Sequence, residues 1–162
     1  LQNITGFMVG KDVEQGGIIK HGAKFVQAVS TVHVPKFTVV IGSSNGAGNY
    51  AMCGRAFGPR FMFTWPNSRV SVMGAEQAAS VMVQIKRESL KREGKKLLTE
   101  EAEKIAAPIR AQYDLEGQPL FGTARLWDDC ILDPSQTRKV LGRLIELAGP
   151  AAGPARYPVF RM

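Results

Sequence analysis

Residues Phe37-Thr38-Val39-Val40-Ile41 run straight into Gly42-Ser43-Ser44-Asn45-Gly46-Ala47-Gly48, and this junction leaves the chain few architectures. The first five are apolar or β-branched throughout, the pattern of a strand buried on both faces in a sheet covered by helices. The glycines after it predict a turn that opens into a helix. In such sheets ligands gather at the carboxyl ends of the strands. Without Cβ atoms at 42, 46 and 48 a ligand can approach the main chain, where the first N–H groups of the helix have no intrahelical acceptor. The stretch therefore reads as an anion hole needing no charged side chain. It lacks the GKS/T ending of a phosphate-binding loop and the spacing of a dinucleotide fingerprint. A tight turn packed for its own sake fits the local pattern equally well.

The remaining elements alternate as in an α/β domain. The spacing predicts a helix over 13–32 with Ile18, Ile19, Phe25, Val26 and Val29 on one face, ended before Pro35. Short strands are expected at 61–64 and 69–72, then a helix over 76–92 burying Ala79, Val81, Met82 and Ile85 and stopped by Gly94. A charged helix over 99–113 has Thr99 as its hydroxyl cap and Glu100, Glu101 and Glu103 near the positive end of its dipole. A last strand is expected at 129–132. Asp133 then caps a closing helix with Pro134 at its first position and Gln136 as capping-box partner, burying Val140, Leu141, Leu144 and Ile145. One domain follows: a folded core over 1–148 and an extended Pro/Gly/Ala-rich tail over 149–162.

Composition narrows the function classes. With 162 residues, 44% hydrophobic and 22% charged, the chain has material for one core. No apolar run reaches the roughly 20 residues of a membrane span, and no signal-peptide pattern opens the chain. The net charge of +7 raises nucleic acid as a partner. Yet its densest basic run, Lys86-Arg87-Glu88-Ser89-Leu90-Lys91-Arg92-Glu93-Gly94-Lys95-Lys96, interleaves acids as a solvated helix does, and no nucleic-acid-binding motif accompanies it. Cys53 and Cys130 have no metal spacing and read as reduced, small apolar fillers. His21 and His33 lack a nucleophile pattern and read as packing or hydrogen-bonding residues. Glu14, Glu76 and the Asp128-Asp129 pair read as structural, and Trp65 and Trp127 as core or interface anchors.

Several motifs carry a family resemblance. Gly46 to Arg55, then Pro59-Arg60-Phe61, then Trp65-Pro66-Asn67-Ser68-Arg69-Val70-Ser71-Val72-Met73-Gly74 and Glu76-Gln77-Ala78-Ala79 resemble the carboxyltransferase (β) subunit of biotin-dependent acyl-CoA carboxylases. The 3-methylcrotonyl-CoA and geranyl-CoA branch is the nearest in pattern. Gln2-Asn3-Ile4-Thr5-Gly6-Phe7-Met8-Val9-Gly10, Gly16-Gly17-Ile18-Ile19-Lys20-His21-Gly22-Ala23-Lys24, Ala124-Arg125-Leu126-Trp127-Asp128-Asp129 and Val159-Phe160-Arg161-Met162 match as well. The resemblance implies a crotonase-like (ClpP/crotonase) spiral α/β fold. Such subunits hold two related domains, and this chain resembles the later part of the second. Leu1 is not Met and opens on what reads as the end of a strand, so a truncated C-terminal carboxyltransferase domain is expected.

By the same resemblance the activity is transfer of a carboxyl group from N1-carboxybiotin to an acyl-CoA through an oxyanion-stabilised enolate. The backbone amides of Gly46 and Ala47 are implied as one oxyanion hole, for biotin, because fixed neutral donors suit a charge that develops only during reaction. Gly6, Phe7, Gly16, Gly17 and Gly48 are implied to line the cofactor pocket, with no metal. The implied partners are a coenzyme A thioester, a biotin carboxylase/biotin carrier subunit and further copies of the carboxyltransferase subunit. The implied compartment is the bacterial cytoplasm or the mitochondrial matrix. Asn45 stands where relatives usually carry Tyr or Phe, which implies a roomier, more polar acyl pocket admitting a chain as long as geranyl, or a drifted loop without effect on specificity. Two other functions fit the same oxyanion logic: a crotonase-type hydratase, isomerase or decarboxylase, and a binding or assembly module without activity of its own.

Overall fold

The computed structural model describes residues 1–149, so the expected tail lies, except for Gly149, outside the described residues. In chain order the elements are β1 (Gln2–Ile4), α1 (Lys11–Gln15), α2 (Ile18–Thr31), β2 (Phe37–Asn45), α3 (Gly48–Ala51), β3 (Phe61–Thr64), β4 (Arg69–Ser71), α4 (Ala75–Arg92), α5 (Thr99–Glu116), α6 (Pro119–Thr123), β5 (Cys130–Ile131) and α7 (Thr137–Ala148). Single 3₁₀ turns form at Arg55–Phe57 and Pro134–Gln136.

Every strand pairing is parallel, as helical crossovers require. The order is β1-β2-β3-β5, with β4 also on β2. The central strand changes partner along one edge: Phe37 to Val40 pair with Phe61 to Thr64 of β3, and Ser43 to Asn45 pair with Arg69 to Ser71 of β4. β2 therefore reaches four residues past the apolar run, and the sequence Gly42-Ser43-Ser44-Asn45, read as turn, is strand. Pairing on both edges outweighs the low strand preference of glycine and asparagine. Gly42 leaves room for the Asn3 side chain: a Cβ would sit 2.3 Å from the Oδ1 that accepts the Ser43 N–H and would displace it.

β2 is covered on both faces. Val39, 1% exposed, meets Phe63 and Leu132, and Val140, Leu141 and Leu144 of α7 pack on this cluster with Ile41, Phe61 and Trp65. Val40 and Thr38 are buried too, and the Thr38 hydroxyl donates to the Cys53 carbonyl at 2.7 Å. α4 packs on α5. Arg110 joins the two helices, its Nε 2.7 Å from Glu76 and its Nη1 2.6 Å from Glu103.

Several local expectations are corrected. Gly17 adopts φ +89° and breaks the long amino-terminal helix into α1 and α2. The apolar face expected there is open, with Ile19 70% exposed and Phe25 also exposed. On α4 only Ala78 and Ala79 are buried, while Val81, Met82 and Ile85 are exposed. Periodicity reports that a face is apolar; it does not say which element covers it, and none among the described residues does. Thr99 is the first residue of α5 rather than its cap; Glu101 instead accepts the Leu98 N–H at 3.2 Å. Asp133 caps the 3₁₀ turn through Ser135 N–H at 2.7 Å, α7 begins only at Thr137, and Ile145 is exposed.

Phe63→Ala removes the centre of the α7-covered cluster and lowers stability by about 3–5 kcal/mol. Urea unfolding measures this, with the midpoint falling at unchanged m-value.

Candidate functional site

At the carboxyl end of β2 the chain turns through Gly46, whose φ of +60° suits a residue without Cβ. The Gly46 N–H donates to the Ser71 carbonyl at 3.2 Å, carrying the β2–β4 ladder one step beyond the strands. Asn49 and Tyr50 N–H groups then donate to the Gly46 and Ala47 carbonyls, each at 3.1 Å. Among the described residues, the N–H groups of Ala47 and Gly48 are left with no acceptor. The free donor pair is therefore displaced by one residue from the expected Gly46 and Ala47, because the sheet takes the Gly46 N–H. Ala47 is exposed and Gly48 is buried. Ala47 is the N-cap and Gly48 the first residue of α3, where helix N–H groups have no intrahelical acceptor, so both are left to donate elsewhere.

Close packing holds the turn from below. A Cβ on Gly48 would lie 2.7 Å from Ile4 Cδ1 and 3.3 Å from Gly6 Cα, so glycine lets β1 and the turn meet without the Ile4 side chain or Gly6 shifting. Two polar braces flank it. The Gln2 and Asn49 side-chain amides both donate to Ser44 Oγ, at 2.7 and 2.6 Å. The single Ser71 hydroxyl proton lies within reach of two acceptors, Asn45 Oδ1 at 3.1 Å and the Met73 carbonyl.

The structure thus gathers Gly6, Asn45, Gly46, Ala47 and Gly48 in one place. Phe7 lies apart, its ring edge 3.2 Å from where a Cβ on Gly22 of α2 would be. Gly16 and Gly17 sit at the α1–α2 junction, beside the Asp12 and Val13 carbonyls and the His21 ring. Asn45, expected as a polar pocket wall, is 6% exposed and bonded to Ser71. Its position as the last residue of β2, paired with Ser71 of β4, accounts for this.

Residues 1–156 match the carboxyl transferase domain family. The chain belongs to that family. It is 58% identical over 163 aligned residues to the probable methylcrotonoyl-CoA carboxylase beta chain, mitochondrial, of Drosophila melanogaster, covering 100% of this chain and 28% of that protein. It is 57% identical to the biotin-dependent 3-methylcrotonyl-coenzyme A carboxylase beta1 subunit of Mycobacterium tuberculosis, covering 100% of this chain and 31% of that protein. The crystal structure of the P. aeruginosa geranyl-CoA carboxylase beta subunit superposes with a TM-score of 0.83 at 43% identity, covering 98% of this chain and 30% of that one. The chain accordingly spans under a third of the length of these relatives. Its parallel sheet and helices are the crotonase-like α/β fold of the family.

In this carboxyl transferase domain a cleft of about 520 Å³ opens beside α3, lined among others by Tyr50, Arg55, Thr64, Gly117, Trp127 and Asp128. Asp128 is buried, accepting the Thr64 hydroxyl at 2.6 Å and the Thr123 hydroxyl at 2.8 Å. Asp129 accepts the Met62 N–H at 2.7 Å and pairs with Arg55 at 3.3 Å. The Asp pair thus ties the start of β5 to β3. Trp65 packs on the core and donates Nε1–H to Thr137 Oγ1, whereas Trp127 is 48% exposed at the cleft. Ser71, Asn49 and Gln2 fall inside the family motifs, but the pairings of Gln2 with Ser44 and of Ser71 with Asn45 span 42 and 26 residues and only the fold makes them.

Cys53 is buried as expected, but Cys130 is exposed and is no core filler. Partial desolvation of its thiol, then the carboxylates of Asp128 and Asp129, hold its pKa above the ordinary thiol value. Alkylation of Cys130 is therefore slow at neutral pH and rises only at a pH above that at which an ordinary thiol ionises. Peptide mapping after iodoacetamide treatment checks this, and Cys53 should react only on unfolding.

Proposed function

We propose that this domain, within its full-length subunit, binds the oxyanion that forms as a carboxyl group passes from carboxybiotin to an acyl-CoA. The observation that carries the reading is the pair of N–H groups at Ala47 and Gly48, which have no acceptor among the described residues and stand at the carboxyl end of the central strand. Membership of the carboxyl transferase family supplies its chemical context.

The donor set fits a ureido or thioester oxygen. Two adjacent main-chain N–H groups are neutral and fixed, so they favour charge that appears during reaction over a resident anion. Biotin, carried by a partner, supplies the carboxyl group when bound. The work of this chain is to orient and to stabilise. Ala47 and Gly48 donate to the oxygen, Gly6 keeps the floor of the turn close to β1, and the hydrogen bonds of Gly46 and Asn49 keep the donors from turning away.

The acyl group is 3-methylcrotonyl or a longer branched chain such as geranyl, as the named substrates of the relatives suggest. The partners are a biotin carboxylase with its carrier domain and further copies of the carboxyltransferase subunit. The setting is the bacterial cytoplasm or the mitochondrial matrix, and no described helix is long and apolar enough to cross a membrane.

Ala47→Pro in the full-length subunit, assembled with its biotin carboxylase partner, tests the reading. Ala47 has φ −65° and ψ −17°, a conformation proline shares, so the change deletes one N–H while keeping the backbone angles of residue 47 itself. The expected result is a kcat lower by about 100-fold or more with KM for the acyl-CoA little changed. Unaltered kcat overturns the role of Ala47, and a wild-type assembly that carboxylates neither acyl-CoA overturns the function.

A further inference from the structure

We propose that Ser71 is the positioning residue of this oxyanion turn, an inference that rests on the function proposed above. Ser71 ends β4 opposite Asn45 and grips the turn twice. Its carbonyl takes the Gly46 N–H at 3.2 Å. Its hydroxyl sits between Asn45 Oδ1, 3.1 Å away, and the Met73 carbonyl, with one proton to share between the two acceptors. The segment after it follows the turn closely, since a Cβ on Gly46 would lie 3.2 Å from the Val72 carbonyl oxygen.

The consequence is geometric. The Ser71 carbonyl fixes the peptide plane between Asn45 and Gly46, because that plane carries the Gly46 N–H. The hydroxyl fixes the side chain on the other side of the same plane. With the plane held and Gly46 at φ +60°, the directions of the next two N–H groups follow from the backbone. Those two are the free donors of Ala47 and Gly48. The carbonyl grip belongs to the ladder and survives substitution, whereas the hydroxyl grip depends on the side chain. Asn45 takes part as the acceptor, so its polarity serves the turn from beneath.

A grip of this kind acts on the geometry of the donors and not on the affinity for acyl-CoA. Small misplacements of catalytic groups act on the chemical step. The test uses the full-length subunit assembled with its biotin carboxylase partner, with 3-methylcrotonyl-CoA and geranyl-CoA as acceptors. Ser71→Ala is expected to lower kcat by about tenfold and leave KM for the acyl-CoA within about twofold. Ser71→Thr keeps the hydroxyl in a strand-compatible residue and is expected to restore most of kcat. Asn45→Ala removes the same hydrogen bond from the other side, so the double variant is expected to be no slower than Ser71→Ala alone.

Wild-type kcat in Ser71→Ala, a Thr variant as slow as the Ala variant, or a double variant whose losses multiply would each overturn the proposal. Should Ser71→Ala fail to assemble, Asn45→Ala alone decides by the same criterion of reduced kcat at constant KM. A wild-type assembly without turnover sinks the parent function instead, so the two failures are told apart.

Discussion

The parallel ladder between residues 43–45 of β2 and 69–71 of β4, with its extra step from Gly46 N–H to the Ser71 carbonyl, sets the geometry on which the site depends. It keeps β2 extended through a glycine-rich stretch that would otherwise curl early. It also decides which amides remain free. Had the ladder stopped at Asn45, Gly46 would be a donor and the hole would sit one residue earlier. The floor of the turn is set independently, by the contact of Gly48 with Ile4 and Gly6 across β1. Two strands thus hold the turn from opposite edges of β2, and the free N–H groups are a by-product of that grip.

The parts of this arrangement legible in the sequence were those written in local pattern. The apolar run at 37–41, the glycine turn after it, the strands at 61–64 and near 69–72, and the long helices of α4 and α5 all follow from period and punctuation. Family motifs marked the turn itself. The exact donor pair was not legible, because it depends on where β4 stops pairing with β2. Likewise the motifs contain Ser71 and Asn49 but do not say whom they touch; their partners Asn45 and Ser44 are delivered by folding. The capping of α5 failed for a local reason: Thr99 offered a hydroxyl, but the Leu98 N–H found the Glu101 carboxylate.

The exposed apolar faces of α2 and α4 teach a different lesson. Ile19, Phe25, Val81, Met82 and Ile85 follow helical spacing as core residues do, yet they face outward. Relatives in which this chain spans under a third of the length place such a domain within a much larger body. Periodicity reads the demand for burial; it is silent on whether the same stretch of chain meets it. By contrast, the basic run at the end of α4 is exposed as expected, with Glu88 accepting from Gln84 and Lys95 paired to Glu93.

In the proposed function the main-chain N–H groups of Ala47 and Gly48 hold the reacting oxygen. The most direct measurement is a high-resolution structure of the full-length subunit with acyl-CoA and a biotinylated carrier bound. The expected result is a substrate or cofactor oxygen about 2.7–3.1 Å from both nitrogens, with Gly46 N–H still on Ser71. An oxygen held by Gly46 instead, or a biotin seated in the cleft beside Trp127 with the turn empty, would contradict it.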